Sequence, residues 1–299
     1  RHGWHAHRQV THYPDESLMR LNIATCRPLP EPDVDEDLLL EGLQSAGIDA
    51  RMAAWDDPAQ WCDAVPTLVR STWNYIHAPD AFGAWVRGIA PRAPLWNSAA
   101  VLLGNLHKRY LLELAARGVP VTPTELLSQG WNGSLTELCR SRGWPDVVVK
   151  PAVGAASFET YRYTDINADV DAQVRRFASQ RDLLVQPYLP SVEDHGERAL
   201  VWIDGEFTHA VRKTPRFAGG VEVVSEAIGI SPAERALGEA ALAPFAAELL
   251  YARVDVAPGF DGQPVVMELE LIEPSLFLLQ SPQALERLVA AVRRELVRP

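Results

Sequence analysis

Three acidic residues in the last fifth of the chain stand at a spacing that suits a divalent cation. Residues 250–257 and 264–271 read as two arms of a hairpin turning at Asp261-Gly262, a strong two-residue loop signal. That loop sets Asp255 opposite Glu268 and Arg253 opposite Glu270. With period-two alternation, Asp255, Glu268 and Glu270 share one face, while Met267, Leu269 and Leu271 take the other. Facing carboxylates repel each other, so a fold carries them where a cation lies between. Two or three carboxylates completed by phosphate oxygens are a usual way to hold Mg²⁺. The alternative is a solvated acidic face compensated by Arg253 alone. Pro258 and Pro264 stand where a bulge would rotate this register.

A second hairpin turns at Asp204-Gly205. Its two-residue loop sets Arg198 opposite Val211, with Lys213 two residues along the same face. Two converging cations call for an anion, the alternative being plain surface charge. Glu197 then falls opposite Arg212, as an ordinary ion pair on the other face.

Lysine is scarce. Of 28 basic residues only Lys108, Lys150 and Lys213 are lysines, the rest being arginines. An ammonium is a compact point charge suited to a phosphate oxygen in a tight pocket. Lys150 ends the β-branched run Val147-Val148-Val149 and precedes Gly154-Ala155-Ala156-Ser157. Small residues there let backbone N–H groups approach phosphate oxygens, and Ser157 adds a hydroxyl. No Walker A sequence occurs in the chain.

The elements that must position these groups alternate. Met19–Thr25 reads as a first strand, 33–46 as a helix closed by Gly47, 66–71 as a buried strand, and a helix starts at Pro79. This pattern predicts a parallel sheet with helices on its faces. Its ligands would sit at strand C-termini, where Arg70, Ser71, Thr72 and Trp73 lie. A helix is expected over 107–117, a short strand over 120–123 and a helix near 134–142. Strands follow at 146–150, 159–164 and 183–187, with a helix over 167–180 between the last two. Helices at 231–249 and 282–296 would cover the two hairpins.

The chain has 299 residues and a net charge of −11. Its length favours two lobes over one core. The acidic balance argues against nucleic acid or an anionic membrane as partner. No apolar run reaches the ~20 residues of a membrane span. The start of the chain has no signal-peptide core, so a cytoplasmic protein is expected. Cys26, Cys62 and Cys139 are scattered, which indicates neither a disulfide framework nor a zinc knuckle. Residues 1–18 hold four of eight histidines and are expected to be an extension. His2, His5 and His7 are either a metal-binding tract or, the preferred reading, a tail.

Taken in order, the parts are Lys108, Lys150 with its small-residue loop, Gln186-Pro187-Tyr188-Leu189, Glu197-Arg198, Lys213, Asp255, Glu268-Leu269-Glu270 and Glu273-Pro274-Ser275. This order resembles the ATP-grasp superfamily of carboxylate–amine ligases over nearly all of 19–299. The resemblance implies an α/β fold of α+β lobes, the ATP-grasp fold, behind an N-terminal parallel-sheet preATP-grasp domain. The domains would be 19–104, 105–189 and 190–299. It implies ATP and Mg²⁺, with two ions and Mn²⁺ as an alternative, and a small amino-acid-like carboxylate as substrate. Lys108 and Lys150 would contact the nucleotide, and Gly154, Ala155 and Ser157 would belong to a flap over the phosphates. Gln186, Pro187, Tyr188 and Leu189 would be the hinge at adenine, and Glu193 would face the ribose. Arg198 and Lys213 would stabilise the transferred phosphoryl group, and Asp255, Glu268 and Glu270 would hold metal. Arg27, Arg70, Thr72, Trp73, Arg253 and Glu273 are the substrate-side candidates. For Trp73 core packing, and for Glu273 a plain turn role, are the alternatives.

The sequence departs from that family in three places. Glu270 replaces the Asn of the usual E-x-N, Gln186 replaces an acidic residue, and the flap is poor in glycine. A narrower resemblance rests on Ala24-Thr25-Cys26-Arg27, Val69-Arg70-Ser71-Thr72-Trp73-Asn74-Tyr75, Leu106-His107-Lys108-Arg109-Tyr110-Leu111 and Met267 to Ser275. These stretches look like the actinobacterial cyclo-ligase branch that closes O-ureidoserine to cycloserine. The rival expectations are an intermolecular amino-acid or peptide ligase and a non-catalytic ATP-binding scaffold.

Overall fold

Three four-stranded sheets follow one another along the chain. The computed structural model describes residues 19–61, 64–155, 157–214 and 223–298. The proposed extension 1–18, Cys62 and the flap residue Ala156 lie outside the described residues.

The first sheet comprises β1 (Met19–Thr25), β2 (Ile48–Ala54), β3 (Thr67–Val69) and β4 (Leu95–Trp96), in the order β2-β1-β3-β4 and parallel throughout. Helices α1 (Glu36–Ser45), α2 (Pro79–Ile89) and α3 (Ala99–Asn105) accompany it. The parallel sheet was expected, but β2 was not. Its sequence, IDARMAA, lacks the β-branched enrichment that marks a strand. It becomes one because Gly47, at φ +80, turns the chain straight back from α1.

The second sheet is antiparallel, in the order β5-β8-β6-β7. It follows α4 (Tyr110–Ala116) and holds β5 (Glu125–Leu127), β6 (Val147–Pro151), β7 (Tyr161–Tyr163) and β8 (Leu183–Pro187). Helices α5 (Leu135–Arg142) and α6 (Ala168–Ala178) pack on it around a core of its own, including Leu135, Val147, Val174 and Val185. The short strand expected at 120–123 is one bridge, Val121 to Val266.

The short helix α7 (Ser191–Asp194) leads into the third sheet, whose order is β10-β9-β11-β12. Its strands are β9 (Glu197–Ile203), β10 (Glu206–Lys213), β11 (Tyr251–Pro258) and β12 (Pro264–Glu270). The two expected hairpins thus join into one antiparallel sheet. Helix α8 (Pro232–Leu242) starts with a Ser231/Glu234 capping box. The helix expected to run to 249 ends early because Pro244 has no N–H to donate. One sheet face packs Leu200, Trp202 and Val254 against Leu237 and Ala241 of α8. The other packs Val201, Ile203, Val211 and Tyr251 against α1, the first sheet and α9 (Pro282–Leu296).

Buried polar groups staple the first sheet to the third. The Asn97 side chain donates to the carbonyls of Tyr251 (2.9 Å) and Leu271 (2.7 Å) and accepts from the Leu250 N–H at 2.7 Å. The Asp35 carboxylate accepts from the N–H groups of Leu276 and Leu278 at 3.0 and 2.8 Å. Among the described residues no helix is long and apolar enough to cross a membrane.

Asn97→Ala strips three buried backbone groups of their partners. Unsatisfied buried groups cost about 1–3 kcal/mol each, so we expect urea unfolding to show a loss of about 3 kcal/mol or more. A shift below about 0.5 kcal/mol would show that the staple is dispensable.

Candidate active site

The carboxylate face of β11 and β12 looks into a pocket walled by the second and third sheets, with Glu31 and Trp73 reaching it from segments that follow β1 and β3 of the first. Asp255 is paired with Glu268 and Arg253 with Glu270, as expected from the sequence. The register is right for two offsetting reasons. The loop is wider than two residues, since Pro258 pairs with Pro264, and a bulge between Asp255 and Val256 restores the phase. The bulge also brings Met267 onto the pocket wall, against the expectation that it would point away.

The first hairpin corrects the sequence reading. Its Asp204-Gly205 turn is present, but the register shifts by one residue between Phe207 and His209. Arg198 therefore pairs with Arg212, and Lys213 with Glu197. A one-residue slip moves a side chain to the opposite face. Lys213 and Glu197 line the pocket. Arg198 faces α8, where it pairs with Glu234 at 2.7 Å and donates to the Gly229 carbonyl. It does not converge with Lys213.

Six carboxylates, Glu31, Glu197, Asp255, Glu268, Glu270 and Glu273, share this pocket with Lys108, Lys150, Lys213 and Arg253. Arg253 holds Asp255 from Nε at 2.8 Å and from Nη2 at 2.9 Å, and Nη2 also reaches Glu270. Lys213 Nζ lies 2.7 Å from Asp255 and 2.5 Å from Glu197. Lys108 bonds Glu268, with Lys150 3.6 Å away.

Burial alone would raise each acid. At Asp255, Arg253 and Lys213 outweigh burial and hold the carboxyl below the ordinary range. At Glu268, burial is outweighed by Lys108 and then Lys150, which hold it down to about 2. At Glu273, burial and then Glu270 push the carboxyl up to about 8. No three metal-ligating side chains converge among the described residues; the oxygens are taken by ammonium and guanidinium groups.

The small-residue loop is where the sequence placed it. Gly154, Ala155 and Ser157 line the pocket beside Lys150, and the Lys108 N–H donates to the Ala152 carbonyl at 2.7 Å. Phe158 follows on the same loop and meets the His77 ring edge-on at 5.1 Å. Gln186, Pro187, Tyr188 and Leu189 form the end wall with Val148, Val192 and Met267. Gln186 donates to the Thr124 hydroxyl at 2.9 Å, and the Tyr188 N–H is taken by the Asp146 carbonyl.

Some expected residues stand elsewhere. Glu193 is exposed and accepts from Arg162 and from the Tyr188 hydroxyl, both at 3.0 Å, outside the pocket wall. Arg27 pairs with Glu36 at 2.7 Å. Arg70 is buried behind the wall, donating to the Pro274 carbonyl at 2.8 Å, and Thr72 is fully buried. Trp73 and Glu273 do line the pocket, and Trp73 Nε1 donates to the Glu273 carbonyl at 3.0 Å. Sequence reasoning missed Glu31, Thr122, Phe158, Glu197, Met267 and Ser275 on the wall. For Glu197 the missing signal is the bulge after Phe207, which no residue pattern announced; for Met267 it is the bulge beside Asp255, of the kind that Pro258 and Pro264 suggested.

Residues 21–97 match the family described as D-cycloserine synthetase DcsG, N-terminal domain. The chain is 32% identical over 282 residues to the cycloserine biosynthesis protein DcsG of Streptomyces lavendulae, covering 88% of this chain and 94% of that protein. The chain belongs to the DcsG family of ATP-grasp ligases. The crystal structure of D-cycloserine synthetase DcsG superposes with a TM-score of 0.85 at 30% identity, over 93% of this chain and 99% of that one. The ATP-grasp ligase PsnB, solved with its minimal precursor, Mg and ADP, shares the fold at a TM-score of 0.63 and 18% identity, over 93% and 98% of the two chains. In this DcsG-family chain the parallel sheet, 19–96, coincides with the residues that match the N-terminal domain, and the antiparallel second and third sheets follow it.

The folded chain holds the Glu273 proton more tightly than the unfolded chain does. The stability that Glu273 adds is thus complete below pH 4.5 and is lost as pH rises through about 8. Glu273→Gln should flatten the fall of the melting midpoint with pH across that window. An unchanged slope would show that Glu273 ionises freely.

Proposed function

We propose that this ligase uses ATP to convert the carboxylate of O-ureidoserine to an acyl phosphate, which a nitrogen of the same molecule then attacks to close cycloserine and expel phosphate. The observation that carries this reading is the placement of Asp255 opposite Glu268 in a pocket that also gathers all three lysines of the chain. What singles out this substrate is the likeness to DcsG over nearly the whole of both chains.

Asp255, Glu268 and Glu270 suit Mg²⁺ as a donor set. They are hard oxygen ligands on adjacent strands of one face, open to the pocket. The cations now on them have an alternative destination, because phosphate oxygens accept the same hydrogen bonds. Two ions fit the charge of the site, with Mn²⁺ as an alternative. Bound metal would supply positive charge that offsets the charge on the phosphate oxygens.

The protein's own part is positioning and exclusion of water. Lys108 and Lys150 hold phosphate oxygens, and the 154–160 loop covers them. The end wall of Val148, Tyr188, Leu189 and Met267 takes the purine. With the Tyr188 N–H on the Asp146 carbonyl and the Leu189 carbonyl accepting from the Val192 N–H, the Leu189 N–H is the hinge donor offered to it. Lys213 faces the phosphoryl group in flight. Trp73, Glu273 and Arg253 line the substrate end, where Glu273 suits an ammonium. Arg70 fixes the turn that carries Glu273, a supporting role in place of direct substrate contact. Closure of the loop keeps water from the acyl phosphate. The domain boundaries 19–104, 105–189 and 190–299 follow the three sheets.

Incubation with ATP, Mg²⁺ and O-ureidoserine should release ADP and yield a cyclic monomer by mass spectrometry. A dipeptide formed only with a second amine would replace this reading with intermolecular ligation. No ADP release with any amino-acid carboxylate would remove the ligase reading. Lys150→Ala should weaken nucleotide binding by about 1.5–3 kcal/mol, the size of a charge-assisted contact, measured by calorimetry. Unchanged affinity would take Lys150 off the phosphates.

A further inference from the structure

Lys213 sits between two carboxylates whose other partners are unequal. Asp255 has a second cation, since Arg253 reaches both of its oxygens. Glu197 has Lys213 as its only ion-pair partner among the described residues. Both carboxylates and the lysine are on one sheet face and line the same pocket. Lys213 and Asp255 are almost fully buried.

We propose that Glu197 is a positioning residue for Lys213, a role that rests on the ligase reading above. When a metal ion takes Asp255, that carboxylate gives up the lysine while Arg253 stays on it. Glu197 has no second cation to fall back on, so losing Lys213 would leave a part-buried carboxylate, 25% exposed, without a counter-charge, which is costly. Lys213 therefore stays anchored at Glu197, two of its three N–H groups come free, and they point to the phosphoryl oxygens where Asp255 was. A lysine without that anchor would follow Asp255 or turn toward solvent.

The consequence is a dependence of one residue on the other. Glu197→Gln keeps the shape and a hydrogen-bond acceptor for Lys213 but removes the charge. We expect it to lower kcat about 100-fold, with KM for ATP and calorimetric affinity for Mg-ADP changed less than about threefold. The decisive measurement is a double-mutant cycle with Lys213→Met. If Glu197 acts through Lys213, the pair is no slower than Lys213→Met alone. Glu197→Asp, which keeps the charge on a shorter arm, should recover part of the lost rate. Near-ultraviolet circular dichroism and the melting midpoint, recorded for every variant, establish that it is folded.

A wild-type kcat in Glu197→Gln overturns the proposal, as do losses that multiply in the double variant or a loss confined to Mg-ADP affinity. If instead the parent chain releases no ADP with any amino-acid carboxylate, the ligase reading fails and this role fails with it. An active parent with multiplying losses removes this role alone.

Discussion

The pocket depends on charge neutralisation in a place that water reaches poorly. Taking ions out of water costs several kcal/mol each, and only close opposite charges offset it. Here Lys213 and Arg253 do so for Asp255, and Lys108 does so for Glu268. The same arrangement suits the proposed nucleotide site. In that reading each lysine would be a phosphate ligand held in reserve, and each carboxylate an oxygen donor held in reserve. Metal and triphosphate would then offer both sets new partners, so that no charge need be left bare.

Such an exchange needs a scaffold that does not yield. The third sheet is locked to the parallel domain by Asn97, Asp35 and Tyr251, whose hydroxyl donates to the Val69 carbonyl at 2.5 Å. The segment after Glu270 is held from both sides, with Arg70 on the Pro274 carbonyl and Trp73 on the Glu273 carbonyl. The groups proposed for substrate and the carboxylates proposed for metal thereby belong to one packed unit. The second sheet has a separate core and carries Lys150 and the small-residue loop. The part proposed to cover the nucleotide is thus the part with its own packing.

Much of the site was legible because it is written in local order. The acidic pairs of the last hairpin meet as the spacing indicates, and Lys108, Lys150, Gly154, Ala155, Ser157 and the 186–189 segment line one pocket with them, as the family resemblance implied. Arg198 and Glu197 were exchanged because a bulge after Phe207 reverses the faces. Arg70 and Thr72 read as substrate ligands because they follow a buried parallel strand, a position where ligands gather. What placed them behind the wall was the return of 272–278 across the strand ends, a contact about two hundred residues away in sequence.

The sequence by itself determined the parallel-then-antiparallel order of elements, the acidic ribbon and the identity of the three lysines. These are properties of residue type and short-range periodicity, which the chain carries wherever it folds. The tertiary structure alone decided which lysine meets which carboxylate, that Glu197 faces inward and Arg198 outward, and which N-terminal side chains reach the pocket. The physical reason is that a strand's facing has only two states. A single extra residue selects between them, and the packing of distant elements, not the strand's own sequence, determines where that residue is accommodated.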